Sequence, residues 1–303
     1  MRRITIIICI ATLLVLCVMS ISCAITANKV AVISLSGPIQ SESSGLLFGG
    51  SVISPQLVRS QLERAKNDVA IKAIVLQVES PGGSVAACQE ILNEIERVEK
   101  PIVVSFGDLA ASGGYYISAK ADKIVALPGT LTGSIGVISE IPNLKGLFQK
   151  LGIDMEVFIA GKHKDMYAGL RELTPEEKVI MQEMTDQLYD QFVQVVVEGR
   201  SLSEDKVREL ATGQLYTGVQ AKELGLVDEL GGLNKAIDLA ASLAGIEKPK
   251  VEYYKPAVPS LLSTLLGMGW QKLHTVIQVQ SLGAEGIILL ETLSNPYPQP
   301  EYR

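Results

Sequence analysis

Two glycine-rich turns carry residue types that suit nucleophilic catalysis. Residues 79–84 read ESPGGS and residues 110–116 read AASGGYY, and each turn follows an apolar run and precedes a helical pattern. Ser112 at such a corner is exposed at the positive end of a helix dipole, and glycine turns can aim bare N–H groups at an anion. The pair predicts a hydroxyl nucleophile beside two oxyanion donors. The alternative is that Ser112 only caps its helix and that residues 79–84 form an ordinary turn.

A serine hydroxyl needs a general base, and the sequence offers few. The chain has two histidines. His274 falls in an apolar tail helix, where we interpret it as an ordinary helix residue. His163 lies in the loop 161–165 (GKHKD) between Lys162 and Lys164. Because serine–lysine pairs are an established variant of serine catalysis, residue type and spacing leave Lys162, His163 and Lys164 open as the base.

Short apolar runs alternate with helical patterns, and these elements must position the two turns. We predict strands at 30–35, 71–78, 101–106, 123–127, 135–139 and 155–159, and helices at 54–67, 84–98, 112–119, 144–151, 174–198, 203–211, 218–224 and 233–244. The alternation predicts an α/β layered domain with mostly parallel strands. Both turns then lie at the carboxyl ends of consecutive strands, where α/β proteins place their sites.

One helix start has a specific capping pattern. Thr174, Pro175 and Glu177 occupy the N-cap, first and third helical positions of the run that begins at 174. A threonine N-cap followed three residues later by glutamate predicts a capping box.

Composition argues against several classes of function. The net charge is −6 and the pI is about 5.2, so no basic face is expected for a nucleic acid. Three of the four cysteines lie in the apolar N-terminal run, which leaves Cys88 alone in the globular part. Cys88 falls on an apparent helix face, where a small buried hydrophobe is expected. We therefore predict no internal disulfide, no metal cluster and no cofactor.

The uncharged run 4–26 predicts a membrane anchor. As a helix it would be about 34 Å long, enough to cross a hydrocarbon core of about 30 Å. Two arginines precede the run, so we expect the N-terminus in the cytoplasm and the rest of the chain on the other side. A signal peptide cleaved near Ala24 or Ala27 and lipid attachment at Cys23 are the alternatives.

Four motifs in order carry a resemblance to a known family. They are SPGGS (80–84), ASGGYYISAKADKIVA (111–126), GTLTGSIGVI (129–138) and GKHKD (161–165). Together, behind an N-terminal anchor, they resemble signal peptide peptidase A, a family of membrane-bound Ser–Lys peptidases related in fold to ClpP and the crotonases. The resemblance covers about residues 30–232.

The resemblance implies specific roles. Ser112 corresponds to the family nucleophile and Lys164 to the general base, while Gly83 and Gly113 match the positions that shape the oxyanion hole. Glu79 is a departure, because the family often has a polar amide there. The implied fold is a ClpP/crotonase-like layered domain.

The resemblance also implies an organisation and an activity. We predict an anchor at 1–28, a serine peptidase domain at 29–250, and an apolar helix with a disordered tail at 251–303. The expected protein is a membrane-anchored serine endopeptidase with its catalytic domain on the extracytoplasmic side. Family likeness suggests signal-peptide remnants as substrates and a homo-oligomer that encloses the active sites.

Three other functions are compatible with parts of the pattern. A peptidase dedicated to a stomatin-type membrane partner would share the Ser–Lys dyad and differ in substrate. A crotonase-type acyl-CoA enzyme would share the fold and oxyanion hole, although an exported domain counts against it. In a non-catalytic membrane scaffold the Ser–Lys pair would be incidental, and Ser112→Ala with no loss of peptidase activity would favour this function.

Overall fold

A computed structural model of the protein describes residues 28–41 and 51–254. The predicted anchor run and the predicted tail helix therefore lie outside the described residues. Within the described ranges, no helix is long and apolar enough to cross a membrane.

The helices and strands follow the predicted alternation for most of the chain. In order, the described elements are β1 (Lys29–Ser36), α1 (Pro55–Asn67), β2 (Ile71–Ser80), α2 (Val85–Glu96), β3 (Ile102–Ala111), α3 (Gly113–Tyr116), β4 (Lys123–Ala126), β5 (Leu131–Gly133), α4 (Lys145–Lys150), α5 (Pro175–Arg200), α6 (Glu204–Leu210), β6 (Leu215–Thr217), α7 (Gly218–Glu223), β7 (Glu229–Leu230), α8 (Leu233–Leu243) and β8 (Lys250–Tyr254).

The described strands form one sheet. Its main order is β6-β5-β3-β2-β1-β8, and β4 pairs with both β3 and β7. All of these pairings are parallel except that of β5 with β6. Parallel neighbours need crossover connections, and the helices supply them. The predicted α/β class with mostly parallel strands is confirmed.

The sheet is buried on both faces. Successive residues of a strand point to opposite faces, and in β2 the pair Ile74 and Leu76 joins the larger core cluster while Ala73 and Val75 join the smaller one. Helices α1, α2, α3 and α5 contribute to the larger cluster, and α8 packs in the smaller one. Burial on both faces is typical of parallel sheets.

Helix starts were predicted well because capping is local. Ser54 caps α1 and its hydroxyl accepts the Leu57 N–H, with Pro55 in the first turn. Thr174 and Glu177 form the predicted capping box at the start of α5. In both cases a side chain satisfies a backbone donor that the helix leaves unpaired.

Two predicted strands are wrong. Residues 135–139 and 155–159 pair with no strand among the described elements, and Phe158 is 91% exposed. Alternating apolar residues signal a surface that can be buried, whereas a strand also needs a hydrogen-bonded neighbour. The helix predicted at 112–119 is also too long. It ends at Tyr116, because the chain continues in tight turns such as the Ser118 N–H to Tyr115 carbonyl contact of 3.0 Å.

Four short strands, β5 to β8, were not predicted. β8 extends four residues past position 250, where we placed the end of the domain, and pairs in parallel with β1 from Lys29↔Lys250 to Ile33↔Tyr254. The sheet therefore continues into the segment that was predicted to be the tail.

Candidate active site

Ser112 lies between the end of β3 and the start of α3, in a strained backbone conformation. Its φ is 50° and its ψ is −120°. A positive φ is uncommon for a residue other than glycine, and such strain persists where the surrounding structure enforces it, often at functional sites. The Ser112 N–H donates to the Gly133 carbonyl at 2.8 Å, which ties the turn to β5.

The Ser112 hydroxyl is not used for capping. It makes no side-chain cap bond to α3, and it has no hydrogen bond to any described residue. The alternative that Ser112 only caps its helix is therefore wrong. Its oxygen remains available to a molecule in the cleft.

The two glycine-rich turns pack directly against each other. Gly82 has a φ of +101°, and a Cβ at this position would lie 2.6 Å from the Gly113 nitrogen and 2.9 Å from the Ser112 Cβ. Only glycine combines that conformation with so close an approach. The two turns therefore lie side by side, as the sequence predicted.

Two neighbouring backbone N–H groups are left unpaired in these turns. The N–H groups of Gly83 and Gly113 donate to no described residue, and a Cβ on Gly113 would lie 3.1 Å from the Gly83 nitrogen. Ile39 fixes the first turn: its N–H donates to the Gly82 carbonyl and its carbonyl accepts the Ser84 N–H, both at 2.9 Å. The peptide groups around Gly83 are held while its own donor stays free.

A cleft of about 490 Å³ opens over Ser112. Its described lining combines the turn residues with apolar side chains from several elements: Pro81, Gly83, Val85, Ser112, Ser134, Gly136, Val137, Ile138, Tyr189, Ala211, Thr212 and Gly213. A concave site with a few polar groups on apolar walls is typical of ligand-binding sites.

Ser134 is a cleft residue that sequence reasoning did not single out. It has a φ of 48°, the second strained serine at the cleft, and its N–H donates to the Gln214 carbonyl at 2.8 Å. The residue is part of the motif GTLTGSIGVI at 129–138, and its place in that motif was the available signal.

An apolar pocket adjoins the turn that carries Ser112. Val85, Cys88, Tyr116, Leu188 and Phe192 line it, together with the turn residues Gly83, Ser112 and Gly113 and with Gly136 and Val137. The rings of Tyr116 and Phe192 meet edge-on with centroids 5.1 Å apart.

Cys88 belongs to this apolar wall. Its side chain is buried, and burial raises the pKa of the Cys88 thiol to about 12. Since the thiolate is the reactive form, Cys88 acts as a small hydrophobe, as its helical position predicted.

Glu79 organises the neighbouring strand. Its carboxylate accepts the N–H groups of Asp108 at 2.6 Å and Leu109 at 3.1 Å. These bonds fall where the pairing of β2 with β3 shifts register between Val78 and Ser80. These bonds extend β3 beyond Phe106, where the strand was predicted to end, as far as Ala111. Ser112 therefore follows directly at the carboxyl end of β3.

Family comparison decides what kind of protein has this cleft. A model of peptidase family S49 matches residues 94–247, and a model of Clp protease matches residues 28–132. The chain belongs to peptidase family S49. The two matches cover both glycine-rich turns between them, and the resemblance inferred from the four motifs is confirmed.

Relatives of this S49 chain carry protease names. A Synechocystis protein with the provisional name protease slr0021 is 43% identical over 67% of this chain and 74% of its own. An Enterococcus faecium protein with the provisional name signal peptide peptidase SppA is 38% identical over 79% of this chain and 71% of its own. A chloroplastic serine protease SPPA from Arabidopsis thaliana is 34% identical over 80% of this chain and 37% of its own. The protein is a protease.

The S49 chain does not bring all predicted site residues together. Gly83, Ser112 and Gly113 meet, whereas Lys164 is exposed and is absent from the described lining of the cleft. That lining contains no lysine or histidine. Among the described residues of one chain, no candidate base therefore lines the cleft over Ser112.

The loop at 161–165 nevertheless distinguishes its three candidate bases. Lys162 forms an ion pair with Glu176, and His163 contacts Glu176 at 3.5 Å and Glu177 at 3.3 Å. Lys164 has no ion pair or hydrogen bond from its side chain to a described residue. Of the three, Lys164 has the amine that is free to act.

Proposed function

We propose that this S49 protease is a serine-type endopeptidase in which Ser112 is the nucleophile and Lys164 is the general base. The single observation that carries the proposal is the unpaired Ser112 hydroxyl, held on a strained turn beside the free N–H groups of Gly83 and Gly113. These are the parts that acyl transfer needs: a nucleophile, a cleft and donors for an oxyanion.

The reaction follows from these parts. The uncharged amine of Lys164 takes the hydroxyl proton as the Ser112 oxygen attacks the peptide carbonyl. The N–H groups of Gly83 and Gly113 stabilise the resulting oxyanion, and loss of one such donor typically costs about 2.7–4 kcal/mol of transition-state stabilisation. The Lys164 ammonium then protonates the leaving amine, which leaves an acyl-enzyme. Water, deprotonated by the same amine, hydrolyses the ester and restores Ser112.

Lys164 must be covered to work as a base. An amine exposed to water stays protonated at neutral pH, and burial against apolar walls favours its neutral form. In a single chain Lys164 is exposed. We infer that a second copy of the chain covers the loop and that Lys164 of one subunit serves Ser112 of its neighbour.

An exposed apolar surface supports this assembly. Helix α4 buries none of its residues, and the segment that follows it leads to the Lys164 loop. The large exposed apolar side chains of α4 and of the segment after it are Leu147, Leu151, Ile153, Met155, Val157, Phe158 and Ile159. A soluble monomer rarely exposes so many neighbouring apolar residues, and such surfaces mark interaction sites. A homo-oligomer would bury them and the Lys164 loop together.

Substrate peptides fit the cleft as an added strand. The backbone groups of residues 136–139 make no hydrogen bond to the described part of the chain, and Gly136, Val137 and Ile138 line the cleft. An extended peptide can pair with such a free segment and place alternate side chains in pockets. The apolar pocket beside Ser112 then favours small or aliphatic side chains.

The membrane setting of this activity is part of the same proposal. The uncharged run 4–26 would anchor the chain, with the catalytic domain on the extracytoplasmic side. Signal-peptide remnants are apolar peptides in the membrane, which suits the apolar cleft. The signal peptide peptidase name of the Enterococcus faecium relative agrees with this substrate class.

Hydrolysis of casein and of short apolar peptides tests the proposal. Ser112→Ala and Lys164→Ala are expected to lower kcat by at least about 10³-fold, because each removes a group that acts in the chemical step. Lys162→Ala is the matched control, since its ammonium is paired with Glu176, and it should keep most of the activity. Wild-type rates in both Ser112→Ala and Lys164→Ala would end the proposal.

A further inference from the structure

The residues around Lys164 are tied to the start of α5. Lys162 pairs with Glu176, His163 contacts Glu177, and Asp165 pairs with Arg171. Lys164, which lies among them, has no such partner in the described chain. The loop is therefore held on both sides of the one amine that is left free.

Arg171 holds two carboxylates at once. Its Nε and Nη2 donate to Oδ2 and Oδ1 of Asp165, each at 2.7 Å. Its Nη1 and Nη2 donate to Oε2 and Oε1 of Glu177, also at 2.7 Å. Forked contacts of this kind add geometric specificity to the attraction of opposite charges. We call Asp165, Arg171 and Glu177 the Arg171 clasp.

The clasp joins the loop to a rigid support. The Glu177 side chain is 1% exposed, and it also accepts the Thr174 N–H at 2.9 Å as part of the capping box of α5. Met166, directly after Asp165, is buried and fixes the loop on the other side. The same helix carries Leu188 and Phe192, which line the apolar pocket beside Ser112.

The clasp also sets the local charge. Arg171 is the main cause that holds the pKa of Glu177 and the pKa of Asp165 below their usual range, so both carboxyls are ionised. Asp165 directly follows Lys164 in the sequence, and Glu177 contacts His163, the residue before Lys164, at 3.3 Å, so both charges lie at the loop that carries the amine. Negative charge close to an amine favours its protonated form. The guanidinium between them cancels much of that effect, which a general base requires.

We propose that Arg171, with Asp165 and Glu177, is a positioning group for Lys164. It holds the loop in one geometry on α5 and compensates the negative charge of the two carboxylates at the loop that carries Lys164. This inference rests on the proposed role of Lys164 as the general base. Arg171 itself touches neither substrate nor reacting atoms in this scheme.

Other titratable groups share this part of the chain. From the loop and the first turns of α5 they are Lys162, His163, Glu172, Glu176 and Lys178. A substitution at Arg171 replaces none of them, but it leaves Glu177 to His163, which contacts that carboxylate at 3.3 Å. A change in pH dependence therefore reports on the clasp together with His163.

The pH dependence of kcat/KM in the full-length enzyme tests the inference. Activity rises with pH as the base loses its proton. Arg171→Gln leaves two carboxylates uncompensated, so this rise should move to higher pH by about one unit. Below the rise, that shift lowers kcat/KM by about tenfold. The double variant Arg171→Gln/Glu177→Gln loses one carboxylate together with the guanidinium. The pH at which kcat/KM rises should therefore return towards its wild-type value.

Two further variants separate charge from geometry. Arg171→Lys keeps a positive charge without the fork, so kcat should fall while the rise stays near its wild-type pH. Asp165→Asn removes a negative charge and should move the rise to lower pH, which keeps the test valid if Arg171→Gln does not fold. Arg59→Gln is the matched control: it breaks the pair between Arg59 on α1 and Glu94 on α2, and neither residue is in the described lining of the cleft.

The outcomes distinguish this inference from the proposed function. If Lys164→Ala is inactive and the rise is unmoved in folded Arg171→Gln and in Asp165→Asn, the clasp has no role and only this inference fails. An equal shift in Arg59→Gln would overturn it too. If Lys164→Ala keeps wild-type activity, the proposed base is wrong and the inference falls with it.

Discussion

At the scale of single residues, the position of the Ser112 hydroxyl depends on backbone geometry more than on side-chain chemistry. Ser112 contributes a hydroxyl, but its strained φ and the contacts of Gly82 and Gly113 decide where that hydroxyl lies. The residue types suggested this turn, but they left open that Ser112 only caps its helix and that residues 79–84 form an ordinary turn. Ser134 was missed because its role depends on a fold contact with Gln214, 80 residues further along the chain.

Cys88 is expected to set the size of the side chain accepted beside the scissile bond. A Cβ on Gly113 would lie 2.6 Å from the Sγ of Cys88, so this sulfur closes the pocket beside the turn that carries Ser112. Cys88→Ala enlarges the pocket, and the preference for leucine over alanine at that substrate position should rise about tenfold or more, since one methylene is worth about 1–3 kcal/mol.

The ratio of kcat/KM for two peptides that differ only in that residue measures the effect. Thermal unfolding serves as the control, because loss of the sulfur also removes core contacts. A stability loss with an unchanged ratio would assign Cys88 to the core alone.

At the scale of elements, local signals were reliable and pairing signals were not. The caps at Ser54 and Thr174 were read correctly, since they depend on residues within one turn. The strands predicted at 135–139 and 155–159 failed because no described neighbour pairs with them. The end of β3 was predicted too early because the apolar run stops before Gly107. The strand continues to Ala111 because the Glu79 carboxylate accepts the N–H groups of Asp108 and Leu109.

Glu79 should be replaceable by glutamine and not by alanine. The N–H groups of Asp108 and Leu109 donate to different oxygens of Glu79, so glutamine keeps an acceptor for one of them, while alanine leaves both unpaired. We expect Glu79→Ala to lower the free energy of unfolding by about 2 kcal/mol. We also expect it to reduce kcat, because the carboxyl end of β3 positions Ser112. Glu79→Gln should cost less than about 1 kcal/mol.

Urea unfolding and peptide hydrolysis, measured on both variants, provide the comparison. Equal losses in Glu79→Gln and Glu79→Ala would mean that charge, and not the two accepted hydrogen bonds, is what this position supplies.

At the scale of the whole molecule, one chain gathers only part of the machinery. Gly83, Ser112 and Gly113 meet at the cleft, while Lys164 lies on an exposed loop. The sequence could name Lys164 only through its family resemblance, because residue type and spacing left Lys162, His163 and Lys164 open. In the proposed arrangement, the distance between residues 112 and 164 depends on assembly.

Mixed oligomers test whether the dyad forms between subunits. Ser112→Ala supplies only the lysine and Lys164→Ala only the serine, and each is expected to be inactive alone. Coexpressed in equal amounts, they should recover about a quarter of wild-type activity, because a random interface pairs the two intact residues in that proportion.

The control for this experiment is Lys164→Ala mixed with the Ser112→Ala/Lys164→Ala double variant, which offers no intact lysine. If the mixture of single variants is as inactive as the control, the dyad lies within one subunit and the proposed arrangement between subunits is wrong.

The most direct test of the central claim is covalent labelling of the full-length enzyme with a fluorophosphonate, followed by peptide mass spectrometry. We predict one label on Ser112 in wild type and in Lys162→Ala, and loss of that label in Lys164→Ala, because an unactivated serine hydroxyl reacts poorly. Equal labelling of Ser112 in Lys164→Ala, or a label on a different serine in the wild type, would contradict it.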